Sequence, residues 1–317
     1  MEASAQLSLE QLYADHRRFL WSLCYRMLGS AADAEDVVQD TFVRAMEHPP
    51  RQTTEPVRPW LVKVALNLAR DLLRRRRRRE YVGPWLPSPI DTGDESAPPS
   101  HEPQAAGEHA GWPVTTAYDL LESVSFAFLL ALEELTPTQR AVLILRDVFD
   151  YSIKEAADAL DLSEANVKTT HHRARRAMGG YDKHRRLPTP ALQSNARAAL
   201  DQFLDCLARH DVKGIEALLA EDVRTMTDGG GEFRAALRTI IGRDKVTRFY
   251  LGVAELARDV IVRSQMLNGM PAVVVDIRTL MIPRQSPRFT LSLDLGADGR
   301  ISALYVVSAT SKLSAIK

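Results

Sequence analysis

Cysteine is scarce in this chain: Cys24 and Cys206 are the only two among 317 residues and stand 182 positions apart. No CxxC pair or Cys/His spacing accompanies them, so neither a metal site nor a disulfide framework is expected, and both read as reduced core residues. Long apolar runs are missing as well; none approaches the roughly 20 residues a membrane-spanning helix needs. The first residues, MEASAQLSLEQL, lack a basic stretch followed by an apolar one. No secretory signal is therefore expected, and a cytoplasmic location is. Net charge is absent too, with 41 Lys and Arg against 41 Asp and Glu.

That zero is an average over segments of opposite sign. Residues 81–120 hold no Lys or Arg and 6 acids, whereas residues 165–190 hold 7 bases and 1 acid. The bases gather at 70–79 and 168–186, the footprint of polyanion binding whatever the total charge. Apolar residues make up 45% of the chain, enough for packed cores, and the length suggests two or three domains.

Residues 7–79 have a helical pattern. Leu9, Leu12, Phe19, Leu20, Leu23, Cys24, Met27 and Leu28 recur at three- and four-residue steps. Gly29 suits a helix C-terminus, and Asp33 is placed to cap the next helix. That helix is expected to gather Val37, Val38, Phe42, Val43 and Met46 on one side, leaving Asp33, Glu35, Asp36, Gln39 and Asp40 outside the stripe. A third helix is predicted from near Pro59 through Trp60, Leu61, Val64, Ala65, Leu68 and Leu72 into six arginines, Arg74 to Arg79.

Residues 81–118 form a proline-rich acidic linker, mobile over much of its length by composition. Its opening stretch, Tyr81 to Pro89, carries Trp85 and is expected to dock on a surface, since aromatic rings are costly to leave in water. Residues 119–180 are helical again, with Leu129, Leu132, Leu135, Val142, Leu143, Leu145 and Val148 apolar. Thr136–Pro137 reads as a cap with proline in the first turn. Ser152 and Glu155 form a capping box, and Ser163 starts a second short helix with Val167 inward. Two short helices, a tight turn and a basic second helix are the helix-turn-helix signature. Beyond Pro190, two amphipathic helices over 194–220 are followed by strand texture from about residue 259, implying an α+β domain with antiparallel strands.

Taken in order, these segments resemble a family. Asp33 to Ala45 is similar to the core-polymerase-binding helix of RNA polymerase sigma factors of the extracytoplasmic function (ECF) group. Pro59 to Asp71 with the arginine run resembles their −10-reading helix, and Leu135 to Arg140 with the helix-turn-helix resembles their −35-reading domain. The tail resembles a SnoaL-like domain of the NTF2-like cone fold. Such sigma factors carry WLPEP in the linker and DGGGK in the tail; here the stretches read Trp85–Leu86–Pro87–Ser88–Pro89 and Asp228–Gly229–Gly230–Gly231–Glu232, each departing at one residue.

The resemblance implies four parts: residues 7–80 for polymerase binding and the −10 element, 81–118 as linker, 119–186 for the −35 element, and 192–317 as a regulatory domain. It implies core RNA polymerase (clamp coiled coil and flap) and promoter DNA as partners, with neither cofactor nor catalysis. An intramolecular contact of the tail with the sigma domains is a further expectation, as are linker acids that mimic nucleic acid in the active-site channel.

Polymerase contact falls to Asp33, Glu35, Asp36, Gln39 and Asp40. The −10 candidates are Trp60, Lys63, Asn67, Arg70, Arg74, Arg75, Arg76 and Arg77. Asn67 can hydrogen-bond a base edge, the arginines can hold phosphates, and Trp60 is a stacking candidate whose spacing with Val64 points to a core role. The −35 candidates are Ser163, Asn166, Lys168, Thr169, His171, His172, Arg173, Arg175 and Arg176; which of them touch bases stays open. Trp85, Leu86, Pro87 and Asp228 to Gly231 are candidate regulatory contacts, the glycines reading either as a helix-to-strand turn or as a docking loop. Two rivals remain. One is an enzyme built on the cone, with Asp222, Asp228 or Asp276 as base; the other is an activator that uses only the helix-turn-helix.

Overall fold

The computed structural model describes residues 9–48, 57–76, 81–93 and 118–316. The chain forms two compact units, Met1–Arg79 with Glu95–Arg185, and Glu80–Asp94 with Arg186–Lys317. The start of the linker thus belongs to the C-terminal unit.

In the first unit, α1 (Leu9–Leu28), α2 (Ala31–Glu47) and α3 (Val57–Arg76) pack on one another. Gly29 closes α1 with φ 63°, and the Ser30 side chain, not Asp33, caps α2 by accepting from the Asp33 N–H. The serine lies at the true boundary, which puts Asp33 inside the first turn. The buried stripe of α2 runs Ala34, Val37, Val38, Thr41, Phe42, Ala45; Val43 and Met46, expected inside, are exposed. Alanine and threonine fill the stripe because α2 lies close against α1. On α3 the buried residues are Leu61, Val62, Ala65, Leu66, Ala69 and Leu73. Trp60 and Val64 are only half-buried at the margin of that stripe, so the core role expected for Trp60 passes to its neighbours.

Every residue of α1 from Leu20 to Leu28 is buried, Ser22 and Arg26 included. A helix buried all round needs a second layer, and after α4 (Phe126–Ala131) the chain supplies it with α5 (Pro137–Leu143) and a π-helical turn (Ile144–Val148). Thr136 and Gln139 form a capping box on α5, as Ser152 and Glu155 do on α6 (Ile153–Leu160). Asp161 ends α6 in the left-handed region (φ 54°), a conformation open to glycine, asparagine and aspartate, and Ser163 caps α7 (Glu164–Ala177) two residues later. A short α8 (Gly179–His184) follows.

The second unit holds α9 (Pro190–Ala208), α10 (Val212–Leu218) and α11 (Arg243–Leu256) against a six-stranded sheet. Its strands are β1 (Leu219–Asp228), β2 (Ile240–Ile241), β3 (Arg258–Leu267), β4 (Met270–Thr279), β5 (Arg288–Leu295) and β6 (Ile301–Val307), in the order β2-β1-β6-β5-β4-β3. Alternate residues Val273, Val275, Ile277, Leu291, Leu293 and Leu295 meet Leu200, Phe203, Ile215 and Val246 in the core of an α+β domain. Two expectations change. β1 pairs parallel with β6, so the sheet is mixed. The strands also begin at 219 rather than 259, because the charged residues of β1 hide a strand whose inward positions are Leu219, Val223, Thr225 and Thr227. No described helix is long and apolar enough to cross a membrane.

Candidate nucleic-acid interface and linker clamp

The second helix of the helix-turn-helix, α7, turns Val167, Ala174 and Met178 inward. That spacing leaves Lys168, Thr169, His172, Arg173 and Arg176 exposed along the opposite face, with Ser163 and Asn166 at its start. The Ser163 hydroxyl is engaged as the cap, and Asn166 Oδ1 accepts from the Thr170 hydroxyl at 3.0 Å. His171 and Arg175 differ from the other candidates. His171 Nε2 sits 2.8 Å from Asp147 Oδ1, and Arg175 lies 3.9 Å from the other oxygen of that carboxylate and 5.1 Å over the Tyr118 ring. Both side chains are half-buried and hold α7 to the π-helical turn instead of facing outward. A cavity of about 240 Å³ is lined by both of them together with Ile153, Val167, Lys168 and His172.

On α2, Asp36, Gln39, Asp40, Val43, Met46 and Glu47 are exposed at three- and four-residue steps, a mixed acidic and apolar face. Glu35 is already paired with Arg17 at 3.1 Å, and Asp33 is half-buried. On α3, Lys63, Asn67 and Arg70 share one face. Lys63 Nζ meets Asp161 Oδ1 at 2.5 Å; Arg70 donates to Asn67 Oδ1, the Leu160 carbonyl and Thr138 Oγ1, each at 3.4 Å. Arg74 pairs with Asp71, Arg75 is exposed, and Arg76 donates to the Leu28 carbonyl and to Glu133, both at 2.8 Å. Arg77 lies outside the described residues.

Two arginines that sequence reasoning passed over are buried here. Arg26 donates to Ser22, to Ser123 Oγ at 2.7 Å and to the Leu120 carbonyl at 2.9 Å, and burial pushes its guanidinium down to about 10. Arg140 donates to the Met27 carbonyl at 2.8 Å and to Glu133 at 2.6 Å. Burial raises the Glu133 carboxyl, but Arg140 and Arg76 outweigh it and hold the group below its ordinary value.

In the second unit the linker stretch is fastened to the end of β1. The buried Asp228 carboxylate accepts from Tyr81 Oη at 2.7 Å, the Leu86 N–H at 2.7 Å, the Gly230 N–H at 3.0 Å and Lys312 Nζ at 2.6 Å. Lys312 also donates to the Leu86 carbonyl and lies 4.5 Å over the Trp85 ring and 4.9 Å over that of Tyr81. Leu86 to Ile90, Pro87 among them, are buried. Ile90 exchanges hydrogen bonds with Asn268, and Thr92 donates to the Met266 carbonyl, so Asp91 bridges antiparallel to Leu267 on the edge of β3.

The glycines follow β1, not a helix, and their turn is tight. A Cβ on Gly229 would lie 2.7 Å from the Phe233 carbonyl oxygen, and one on Gly230 (φ 60°) 2.8 Å from Ala309. Gly231 lies beside Val82. The two departures from the family motifs fall at buried Ser88 and exposed Glu232, while the cation of the clamp comes from Lys312, far along the chain. Nothing in the local sequence around 312 signals that role.

The acids weighed for an enzyme do not converge: Asp276 pairs with Arg263 and Arg288, Asp228 with Lys312, and Asp222 is exposed. Asp294 accepts from Tyr305 Oη at 2.7 Å across β5 and β6, with burial raising both groups.

Comparisons with known proteins agree with the order of these elements. The model of Sigma-70 region 2 matches residues 12–79, and that of Sigma-70 region 4 matches residues 125–178. ECF RNA polymerase sigma factor SigJ of Mycobacterium tuberculosis is 33% identical over 246 residues, 75% of this chain and 71% of that protein. Probable ECF RNA polymerase sigma factor SigI of the same species is 25% identical over 95% of this chain and 93% of its own. The crystal structure of SigJ superposes with a TM-score of 0.70 at 26% identity, covering 96% of this chain and 98% of that one. A relative this similar over this much of both chains, with both sigma regions matched in order, shows that the chain belongs to the ECF RNA polymerase sigma factors.

Proposed function

We propose that this chain binds core RNA polymerase through α2, reads the −10 element with α3 and the −35 element with α7, and so directs promoter-specific initiation. The observation that carries this reading is the capped helix-turn-helix. Its second helix packs through Val167 and Ala174 and presents Lys168, Thr169, His172, Arg173 and Arg176 together. Arginine can read guanine bidentately and lysine grips phosphate, so this face suits a major groove. His171 and Arg175 serve the same reading by orienting α7. The exposed acids of α2 suit a basic helical partner, and Val43 and Met46 beside them supply apolar contact.

The C-terminal unit regulates in this account. Asp228 and Lys312 hold residues 81–93 and so withhold the linker from the polymerase channel. The Lys312–Asp228 pair supports this role, because it fastens Leu86, Trp85 and Tyr81 to the end of β1 in a chain with serine at 88 and glutamate at 232.

Charge reversal on α2 tests the polymerase contact. Asp36→Arg with Asp40→Arg is expected to weaken binding to core polymerase roughly tenfold or more, a loss of about 1.4 kcal/mol or above. Both residues are exposed, so helicity and melting temperature should stay unchanged. Unaltered affinity in a competition assay against the parent chain would place the contact elsewhere.

A further inference from the structure

The two ends of the sheet in the second unit are built differently. β2 at one end is two residues long, too short to offer a backbone edge. β3 at the other end is ten residues long and pairs with β4 on one side only. On its outer side the linker makes the Asp91–Leu267 bridge and the Thr92 bond to Met266. Among the described residues nothing pairs with the outer side of Arg258 to Ser264, and all seven of these residues are exposed. Val260, Ile261 and Val262 are consecutive β-branched apolar side chains within that run. An edge of this length and character is a template for another strand.

The linker bonds show which backbone groups of β3 point outward. The Asn268 N–H donates to the Ile90 carbonyl and the Thr92 N–H to the Met266 carbonyl, so even-numbered residues turn their N–H and C=O groups away from β4. By alternation those of Val260, Val262 and Ser264 do the same. Asp259 has left-handed backbone (φ 49°), so the regular edge starts at Val260. Val260 and Val262 lie opposite Ile277 and Val275 on the core face of the sheet; Ile261 and Arg263 lie opposite Asp276 and Val274 on the other.

The exposed run is centred on Ile261, with Asp259 two positions before it and Arg263 two after. A two-fold axis at Ile261 therefore sets Asp259 of one copy opposite Arg263 of the other, twice. It also sets Val260 opposite Val262 as hydrogen-bonded pairs, and brings Ile261 against its own copy in the close position, about 4.5 Å between Cα atoms. Facing apolar pairs and facing opposite charges both stabilise antiparallel strands. An axis at Val262 would put Arg263 against Ile261 and lose the charge match. Arg263 binds Asp276 through Nη2, which leaves its other N–H groups for the second copy. We infer that the outer edge of β3 is a homodimer interface, joining two copies of this chain antiparallel about Ile261 into one continuous sheet. The chain's own continuation past Gly93 suits this edge less well. In the register of Asp91 and Leu267 it would bring Pro98, which has no N–H, opposite the outward-pointing Val260.

One strand edge is a small interface, so the dimer should be weak, with a dissociation constant of about 10–100 μM. Sedimentation velocity of the full chain, from about 5 to 500 μM, should show the mass rising from one chain toward two. Ile261→Lys sets two ammonium groups face to face and should weaken association at least tenfold, and Asp259→Asn, which tolerates left-handed backbone, several-fold. Both residues are exposed, so melting temperatures at the lowest concentration should match the parent. With diamide as oxidant, Ile261→Cys should form an interchain disulfide, since about 4.5 Å between Cα atoms is within reach of one. Ser264→Cys should not, and the parent's Cys24 and Cys206 are buried. A parent chain that stays monomeric throughout overturns the inference. It does so whether the Val260 and Val262 amides exchange freely, which leaves the edge bare, or are protected, which puts the chain's own linker there. A dimer that survives Ile261→Lys, or that cross-links equally through Ser264→Cys, places the interface elsewhere and overturns it too.

Discussion

Replacing Asp228 with alanine is expected to destabilise the C-terminal unit by about 3–5 kcal/mol, the cost of breaking a buried ion pair by removing one partner. The carboxylate is fully buried and satisfies four donors at once: Tyr81, the Leu86 and Gly230 N–H groups, and Lys312. Alanine leaves a buried ammonium with the Leu86 carbonyl and two aromatic rings as its remaining partners among those described above. Hydrogen exchange checks the consequence residue by residue. The amides of Leu86, Ile90 and Thr92 should lose protection while those of β4 and β5 keep it. Run-off transcription should rise as the linker is freed. Adding Lys312→Met to Asp228→Ala should restore part of the stability, since an apolar pair tolerates burial, but not the linker's protection. A loss under 1 kcal/mol with the linker still protected would contradict the clamp. Truncation at residue 190 is a poorer test, because it strips residues 81–93 of the surface they fold on.

The second large effect is expected at Arg26. Arg26→Met keeps the apolar stem and removes the donors to Ser123 and Leu120, bonds to a charged group that contribute about 1.5–3 kcal/mol each. The two helical domains of the first unit should then separate more readily, read as a longer distance between spin labels on α2 and α7. Acid should act in the same direction through Glu133. Arg140 and Arg76 hold its carboxyl below the ordinary value, so its contribution is present above the ordinary carboxylate range and disappears as pH falls through the depressed value. An unchanged label distance in Arg26→Met, at neutral pH and in acid, would show that this contact does not hold the domains.

Much of the first unit was legible in the sequence, because its signals are local. Caps at Thr136, Ser152 and Ser163 and the inward Val167 depend on neighbours three or four residues away. The stripe on α2 was misjudged at Val43 and Met46 because hydrophobicity marks what could be buried, while the close approach of α1 selects Ala34, Thr41 and Ala45. What stayed hidden was long-range. Nothing local marks Arg26 or Arg140 for burial; a second helical layer covers them. Lys312 meets a carboxylate 84 residues earlier and a carbonyl 226 residues earlier. β1 and α11 were missed because their inward faces mix threonine and tyrosine with aliphatics, as in the Thr225–Tyr250 bond at 2.8 Å. His171 stood among the −35 candidates because a basic helix does not announce which of its cations meets a buried Asp147.

In vitro run-off transcription tests the central claim most directly. Bacterial core RNA polymerase, this chain and a genomic promoter library are combined, and the 5′ ends of the transcripts are sequenced. The account predicts discrete start sites that share −10 and −35 elements and disappear when Asp36 and Asp40 are reversed to arginine. Starts no different from those of core polymerase alone, with the parent chain and with Asp228→Ala alike, would contradict it.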